Sequence, residues 1–313
     1  MQNARAVMSA IADNIEKVIV GKRQIIELAL TAVVSGGHVL IEDVPGVGKT
    51  SLVSSFARSI NCSYKRIQFT PDVMPSDITG FSMYNPKTGE FEYRPGAILH
   101  QFVQADEINR ASSKTQSALL EAMEERQVTV DGSTYKTPAP FIVFATQNPQ
   151  ECVGTFQLPE AQLDRFSMCL SMGYPMAEQE IELVLNRKSE HPVDLLQAVA
   201  SGSDLEQLKQ MAAQVFISEE VAAYIVTLTT ATRSHPDIKL GASPRASLHL
   251  CRAAKAWAMH SGRNYMLPDD VQRMLLPVLR HRVFLGRNAK LRGLKPDDVL
   301  MQIMSAVRAP IVS

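Results

Sequence analysis

Val44-Pro45-Gly46-Val47-Gly48-Lys49-Thr50 stands between a short apolar run, His38-Val39-Leu40-Ile41, and a segment whose Leu52, Val53, Phe56 and Ile60 share one helical face. A buried strand that feeds a helix through two glycines narrows the chain to folds that wrap backbone N–H groups around an anion at a helix N-terminus. In that setting Lys49 would reach the β- and γ-phosphates of a nucleotide, and the Thr50 hydroxyl would complete a Mg²⁺ shell. The generic phosphate-loop pattern asks for glycine at position 43, where this chain has Asp43. The competing reading is a Gly-rich strand-to-helix turn with an incidental lysine.

The chain around this loop has 313 residues, 45% of them hydrophobic, enough for one large core or two smaller ones. Lys+Arg and Asp+Glu balance at 32 each, so no global basic field points to nucleic acid. Cys62, Cys152, Cys169 and Cys251 lack metal-type or Cys-x-x-Cys spacing and read as free thiols of a reducing compartment. No basic start with an apolar run marks a signal peptide, and no stretch approaches the ~20 apolar residues of a membrane span. These features predict a cytoplasmic protein without membrane insertion.

The first half alternates strand-like runs (Val39–Ile41, Tyr64–Gln68, Leu99–Ala105, Phe141–Ala145, Phe166–Leu170) with helical segments near 50–60, 113–125 and 159–165. Two hairpins interrupt it, one around Asn85-Pro86-Lys87-Thr88-Gly89 and one at Asp131-Gly132. Beyond Tyr174-Pro175 the pattern turns nearly continuously helical. Ser203 with Glu206 reads as a capping box, Ser218 and Ser243 as N-caps, and Pro268 and Pro296 as helix starts followed by acids. Leu248, Cys251 and Trp257 are the expected core contacts of the Ser243 helix. The expected division is an α/β domain over residues 1–174 and a helical domain over 175–313.

Hydrolysis of a phosphoanhydride needs a held metal, an activated water and charge stabilisation at the γ-phosphate. Asp106-Glu107 ends a strand, where Asp106 would hold Mg²⁺ through water and Glu107 would polarise the attacking water; adjacent acids also cap helices. Asn148 ends the next strand and could align that water, although Asn-Pro is a common turn initiator. Arg165 follows a short helix, where a cation is favoured in any case. Arg245 lies in the first turn of a helix, where positive charge is disfavoured by roughly 0.3–1 kcal/mol unless an anion or a carboxylate is near.

The phosphate loop, Asp106-Glu107-Ile108-Asn109-Arg110-Ala111, Ala145-Thr146-Gln147-Asn148-Pro149 and Leu158-Pro159-Glu160-Ala161-Gln162-Leu163-Asp164-Arg165-Phe166 together resemble the MoxR family of AAA+ ATPases over about residues 14–307. Members often carry Glu-Asp where Glu42-Asp43 stand. The resemblance implies a P-loop AAA+ domain, α/β with a parallel sheet and two β-hairpin insertions, followed by an all-α lid. It also implies ATP and Mg²⁺ held by Pro45, Gly46, Val47, Gly48, Lys49, Thr50, Ser51 and Asp106, with Val20 and Gly21 near adenine. Glu107 would act as catalytic base, Asn148 as sensor 1, Arg165 as arginine finger and Arg245 as sensor 2. A homo-oligomeric, usually hexameric ring is implied, remodelling protein clients or aiding metal-cofactor insertion, often beside von Willebrand factor A domain proteins. The rivals are a nucleic-acid motor, disfavoured by charge balance, and a nucleotide-gated scaffold without turnover.

Overall fold

A computed structural model describes residues 2–148, 156–185 and 192–311. The elements of the first half are α1 (Gln2–Glu16), α2 (Arg23–Val34), β1 (Val39–Glu42), α3 (Lys49–Ser59), β2 (Tyr64–Gln68), α4 (Pro75–Thr79), β3 (Gly80–Asn85), β4 (Glu90–Pro95), β5 (Phe102–Asp106), α5 (Ser113–Glu125), β6 (Gln127–Val130), β7 (Ser133–Lys136), β8 (Ile142–Gln147), α6 (Glu160–Leu163) and β9 (Met168–Leu170). Those of the second are α7 (Ala177–Leu185), α8 (Gly202–Ala213), α9 (Glu219–Ser234), β10 (Ile238–Leu240), α10 (Pro244–His260), α11 (Pro268–Leu279), β11 (Phe284–Leu285), α12 (Arg287–Leu291) and α13 (Pro296–Ala306).

Five parallel strands form the sheet in the order β2-β5-β8-β1-β9. The central strands are apolar on both faces, as parallel strands covered on both sides must be. Val39, Ile41, Phe102, Ile142 and Phe144 face one hydrophobic cluster, while Leu40, Val103, Val143 and Ala145 face the other. The first cluster takes in α1, α2, α3 and the helices of the second half; the second is closed by α5 and neighbouring segments. β3–β4 and β6–β7 are separate antiparallel hairpins outside the sheet, matching the two expected insertions.

Several expectations shift. The strand expected from Leu99 begins at Phe102, because residues 97–99 form a 3₁₀ turn. The capping box lies two residues earlier than read: Ser201 Oγ accepts from Asp204 N and Asp204 Oδ2 accepts from Ser201 N, so α8 starts at Gly202. Leu248 is exposed, because α10 turns Ala246, Leu250, Ala253 and Ala254 inward; Cys251 and Trp257 are partly buried against that core. Phe216, which continues the apolar phase of α8, is exposed past the helix end. The second half also holds a β10–β11 ribbon within its helices. Of the cysteines, Cys62, Cys169 and Cys251 are free; Cys152 and Pro149 lie outside the described residues. Among the described residues no helix is long and apolar enough to cross a membrane.

Candidate functional site

Because β5, β8 and β1 are adjacent and parallel, their final residues Asp106, Gln147 and Glu42 share one edge of the sheet. Ligands of open α/β sheets bind beyond such carboxyl ends. Residues 43–48 leave β1 at this edge, with Gly46 (φ +86°) and Gly48 (φ +92°) in the left-handed region that side-chain-bearing residues avoid. Gly48 stands at the N-cap of α3 without any side-chain cap, so the first N–H groups of that helix are left for an anion. Lys49 Nζ is turned back onto the carbonyls of Asp43 (2.9 Å) and Val44 (3.0 Å), neutral acceptors that a phosphate would outcompete.

Asp43 explains its own departure from glycine. Its buried carboxylate accepts from Met172 N (2.5 Å), Gly173 N (2.8 Å) and Ser171 Oγ (3.2 Å) through Oδ2, and from Val44 N (2.9 Å) through Oδ1. Lys22 Nζ donates to the Met172 and Tyr174 carbonyls, 2.7 Å each. The crossover into the helical half is thereby pinned to the phosphate loop. Ile19 Cδ1 and Met172 Cε border Gly48, and Gln179 donates to Gly21 O at 3.3 Å, so the segment carrying Val20 and Gly21 does adjoin the loop.

Asp106 is almost wholly buried and fully engaged. Oδ1 accepts from Gln104 Nε2 (2.7 Å) and Thr146 Oγ1 (3.2 Å), and Oδ2 accepts from Arg66 Nε (2.6 Å). Gln104 Nε2 also donates to Thr50 Oγ1 (3.1 Å), so one buried amide joins the two groups expected around Mg²⁺. Tyr64 donates to Gln104 Oε1 at 2.5 Å; burial foremost, then Asp106, pushes its phenol up to about 12, which keeps it a neutral donor. A hydroxyl and a carboxylate oxygen that share one amide donor are the kind of oxygen ligands a hard cation takes together with phosphate oxygens and waters.

Glu107 has φ +56°, uncommon for a residue with a side chain, and its N–H donates to Thr146 Oγ1 (3.0 Å). Its Oε2 accepts from Gln68 Nε2 (2.9 Å) and pairs with Arg110 Nε (3.1 Å). Glu107 stands at the N-cap of a 3₁₀ turn, Ile108–Arg110, but its side chain makes no cap there, and α5 beyond is capped by Ser112. Asn148 leaves β8, between the strand of the loop and the strand of the acids. Gln104, Thr146, Arg66 and Gln68 join the site without having been expected there from the sequence. Gln104 was visible only as a polar residue in an apolar strand, and its partners on other elements had no local signal.

Arg165 and Arg245 lie elsewhere. Arg165 is three residues ahead of Met168, which pairs with Val39 at the start of β1, whereas the phosphate loop leaves the end of β1. Arg165 Nη1 donates to Leu120 O (2.6 Å), and Arg165 and Arg245 both pair with Glu124, at 3.3 and 2.6 Å. The carboxylate partner anticipated for Arg245 in its unfavourable helix turn is therefore Glu124.

Residues 38–168 match the ATPase family associated with various cellular activities (AAA), and residues 230–303 match the AAA lid domain. The uncharacterized protein YeaC of Bacillus subtilis is 48% identical over 99% of this chain and 97% of its own length. Chaperone MoxR1 of Mycobacterium tuberculosis is 42% identical over 96% of this chain and 81% of its own. A crystal structure from Cytophaga hutchinsonii, described as a candidate ATPase, superposes with a TM-score of 0.91 at 38% identity, covering 99% of this chain and 97% of that one. With a nucleotide loop, an acidic strand end and a helical lid in place, the chain belongs to the MoxR family of AAA+ ATPases.

Proposed function

We propose that this ATPase works as a ring, of six subunits as the resemblance implies, in which ATP on one subunit is hydrolysed with arginines from the next. What carries the reading is the placement of Arg165 at the end of the sheet opposite its own phosphate loop. An arginine there fits a neighbour's γ-phosphate and not its own. Arg245, on the same carboxylate as Arg165, is read as acting in trans too.

Within the composite site, Lys49 exchanges its carbonyl partners for phosphate oxygens, and Thr50 and Asp106 would hold Mg²⁺, which neutralises charge on the phosphates. Glu107 takes the proton of the attacking water at its carboxylate, and Asn148 orients that water. Val20 and Gly21 flank the base, while Pro45 to Ser51 supply the cradle. Domains 1–174 and 175–313 act as nucleotide module and lid. Supported by the family relation and the chaperone name of one relative, the ring remodels or matures protein clients, with von Willebrand factor A domain proteins and metal-cofactor insertion as the classes to examine first. Free thiols support a cytoplasmic setting.

Mixing tests the composite site. Arg165→Ala removes a finger and should lower turnover by ~10³-fold or more with ATP still bound. Glu107→Gln removes the base from the other side of the interface. Rings formed by subunit exchange between these two inactive variants should regain activity, since some interfaces pair an intact Arg165 with an intact Glu107. Exchanged rings that stay inactive would return Arg165 to a surface role.

A further inference from the structure

Glu124, in the last turn of α5, is the one carboxylate among the described residues that meets both Arg165 and Arg245. Its Oε2 stands 3.3 Å from Arg165 Nε and its Oε1 2.6 Å from Arg245 Nη2. Two guanidinium groups brought to one place repel each other, and a shared anion offsets that repulsion. The contact is also selective about edges. Arg165 is engaged through Nε and Nη1, the latter on Leu120 O, and Arg245 through Nη2. Among the described residues no acceptor engages Arg165 Nη2 or Arg245 Nη1, so each fork keeps N–H groups for a further ligand.

The segments bearing these arginines are fixed to each other. Ser243, the N-cap of the helix carrying Arg245, donates through Oγ to Asp164 Oδ2 (2.8 Å), and Asp164 precedes Arg165. Beneath them Arg282, essentially buried, donates from Nε to Asp164 Oδ1 (2.9 Å) and from its Nη atoms to the carbonyls of Asp164, Phe166, Ser167 and Val278. An exposed ion pair alone contributes little. Here the exposed carboxylate closes a joint whose base is buried, and it sets the distance between two cations.

We propose that Glu124 is a positioning residue that holds Arg165 and Arg245 as one preassembled clamp for the γ-phosphate of a neighbouring subunit. The proposal rests on the trans reading given above. Glu124 takes Arg165 at Nε and Arg245 at Nη2 and leaves Arg165 Nη2 and Arg245 Nη1 for the phosphate, so its effect belongs in the transition state and not in ATP affinity, which the neighbour's loop supplies.

The test uses the full chain with Glu124→Gln, which keeps size and loses charge. Turnover should fall about tenfold to hundredfold, as for a misplaced catalytic group, while KM for ATP, the melting temperature and the assembled size hold at wild-type values. Placed on Arg165→Ala, Glu124→Gln should cost less than about twofold more, since the clamp is already broken. Should Glu124→Gln disturb assembly, Glu124→Asp, too short to span both guanidiniums, carries the same expectation. Wild-type turnover, or losses that multiply in the double variant, would overturn the positioning role. The mixed-ring experiment separates the two ideas: activity regained there with wild-type turnover in Glu124→Gln sinks this inference and spares the trans reading.

Discussion

Lys49 donates only to backbone carbonyls, so replacing it removes the loop's own side-chain cation without breaking a buried ion pair. Lys49→Ala should therefore fold normally and fail to bind ATP; unchanged affinity by calorimetry would remove the loop from the site. Glu107→Gln leaves Asp106 and its partners in place, so ATP should still bind while turnover falls about 10²-fold or more. Gln104 makes a finer claim. Its amide spans Thr50 and Asp106, so Gln104→Leu should raise the Mg²⁺ concentration for half-maximal turnover by about tenfold or more, the usual cost of losing a group that orients metal ligands. An unchanged Mg²⁺ titration would reduce Gln104 to a core amide. Lys49, Thr50, Asp106 and Glu107 were legible as candidates from local spacing, and the fold brings all four to one edge of the sheet. Gln104 and Asp43 were not, because an amide or a carboxylate is defined there by partners about 40 to 130 positions away.

Among the elements, the start of β1 is tied to its surroundings by a histidine. Val143 N donates to His38 Nδ1 (3.0 Å), so the other ring nitrogen carries the proton and faces Met123 O (3.2 Å), linking β1, β8 and α5. Burial pushes His38 down from 6.5 to about 4, because a charged ring would be desolvated and would lose its acceptor nitrogen. The unfolded chain binds a proton below about pH 6.5 that the folded chain refuses until about pH 4, so stability is full above 6.5 and is lost as pH falls through that window. The His38 share is about 2 kcal/mol between pH 7 and pH 5. His249, lowered to about 3, and His281, also lowered by burial, act with the same sign. Urea unfolding at both pH values should show a smaller loss in His38→Gln, whose amide can serve both partners without titrating. Equal losses in the two proteins would exclude His38 as a source. The five sheet strands and the two hairpins were legible, since apolar runs and turn residues such as Asp131-Gly132 are local, whereas the β10–β11 ribbon had no such signal. The capping box slipped because Ser201, Ser203, Asp204 and Glu206 offer two overlapping boxes, and local spacing does not choose between them.

At the scale of the molecule, one hydrophobic cluster runs from α1 through the sheet to α13, so the helical half is built onto the face that α1, α2 and α3 cover. The run of helices past residue 174 was legible from caps and helical spacing, but this shared core was not, since it joins segments far apart in the chain. Its consequence is that both arginines are carried at a fixed distance from their own loop, across the length of the sheet. On the trans reading proposed above, a lone protomer has its own binding loop but lacks the arginines that complete the site. ATP affinity measured per subunit should be the same at every protein concentration. Turnover per subunit should instead climb from near zero in dilute solution to a plateau as protomers associate, in step with the assembled fraction seen by sedimentation. Arg165→Ala should associate along the same curve and stay near its floor throughout, which separates assembly from chemistry. Turnover per subunit that held constant down to concentrations where sedimentation shows only monomers would mean that each protomer completes its own site, and the arginines at the far end of the sheet would need another purpose.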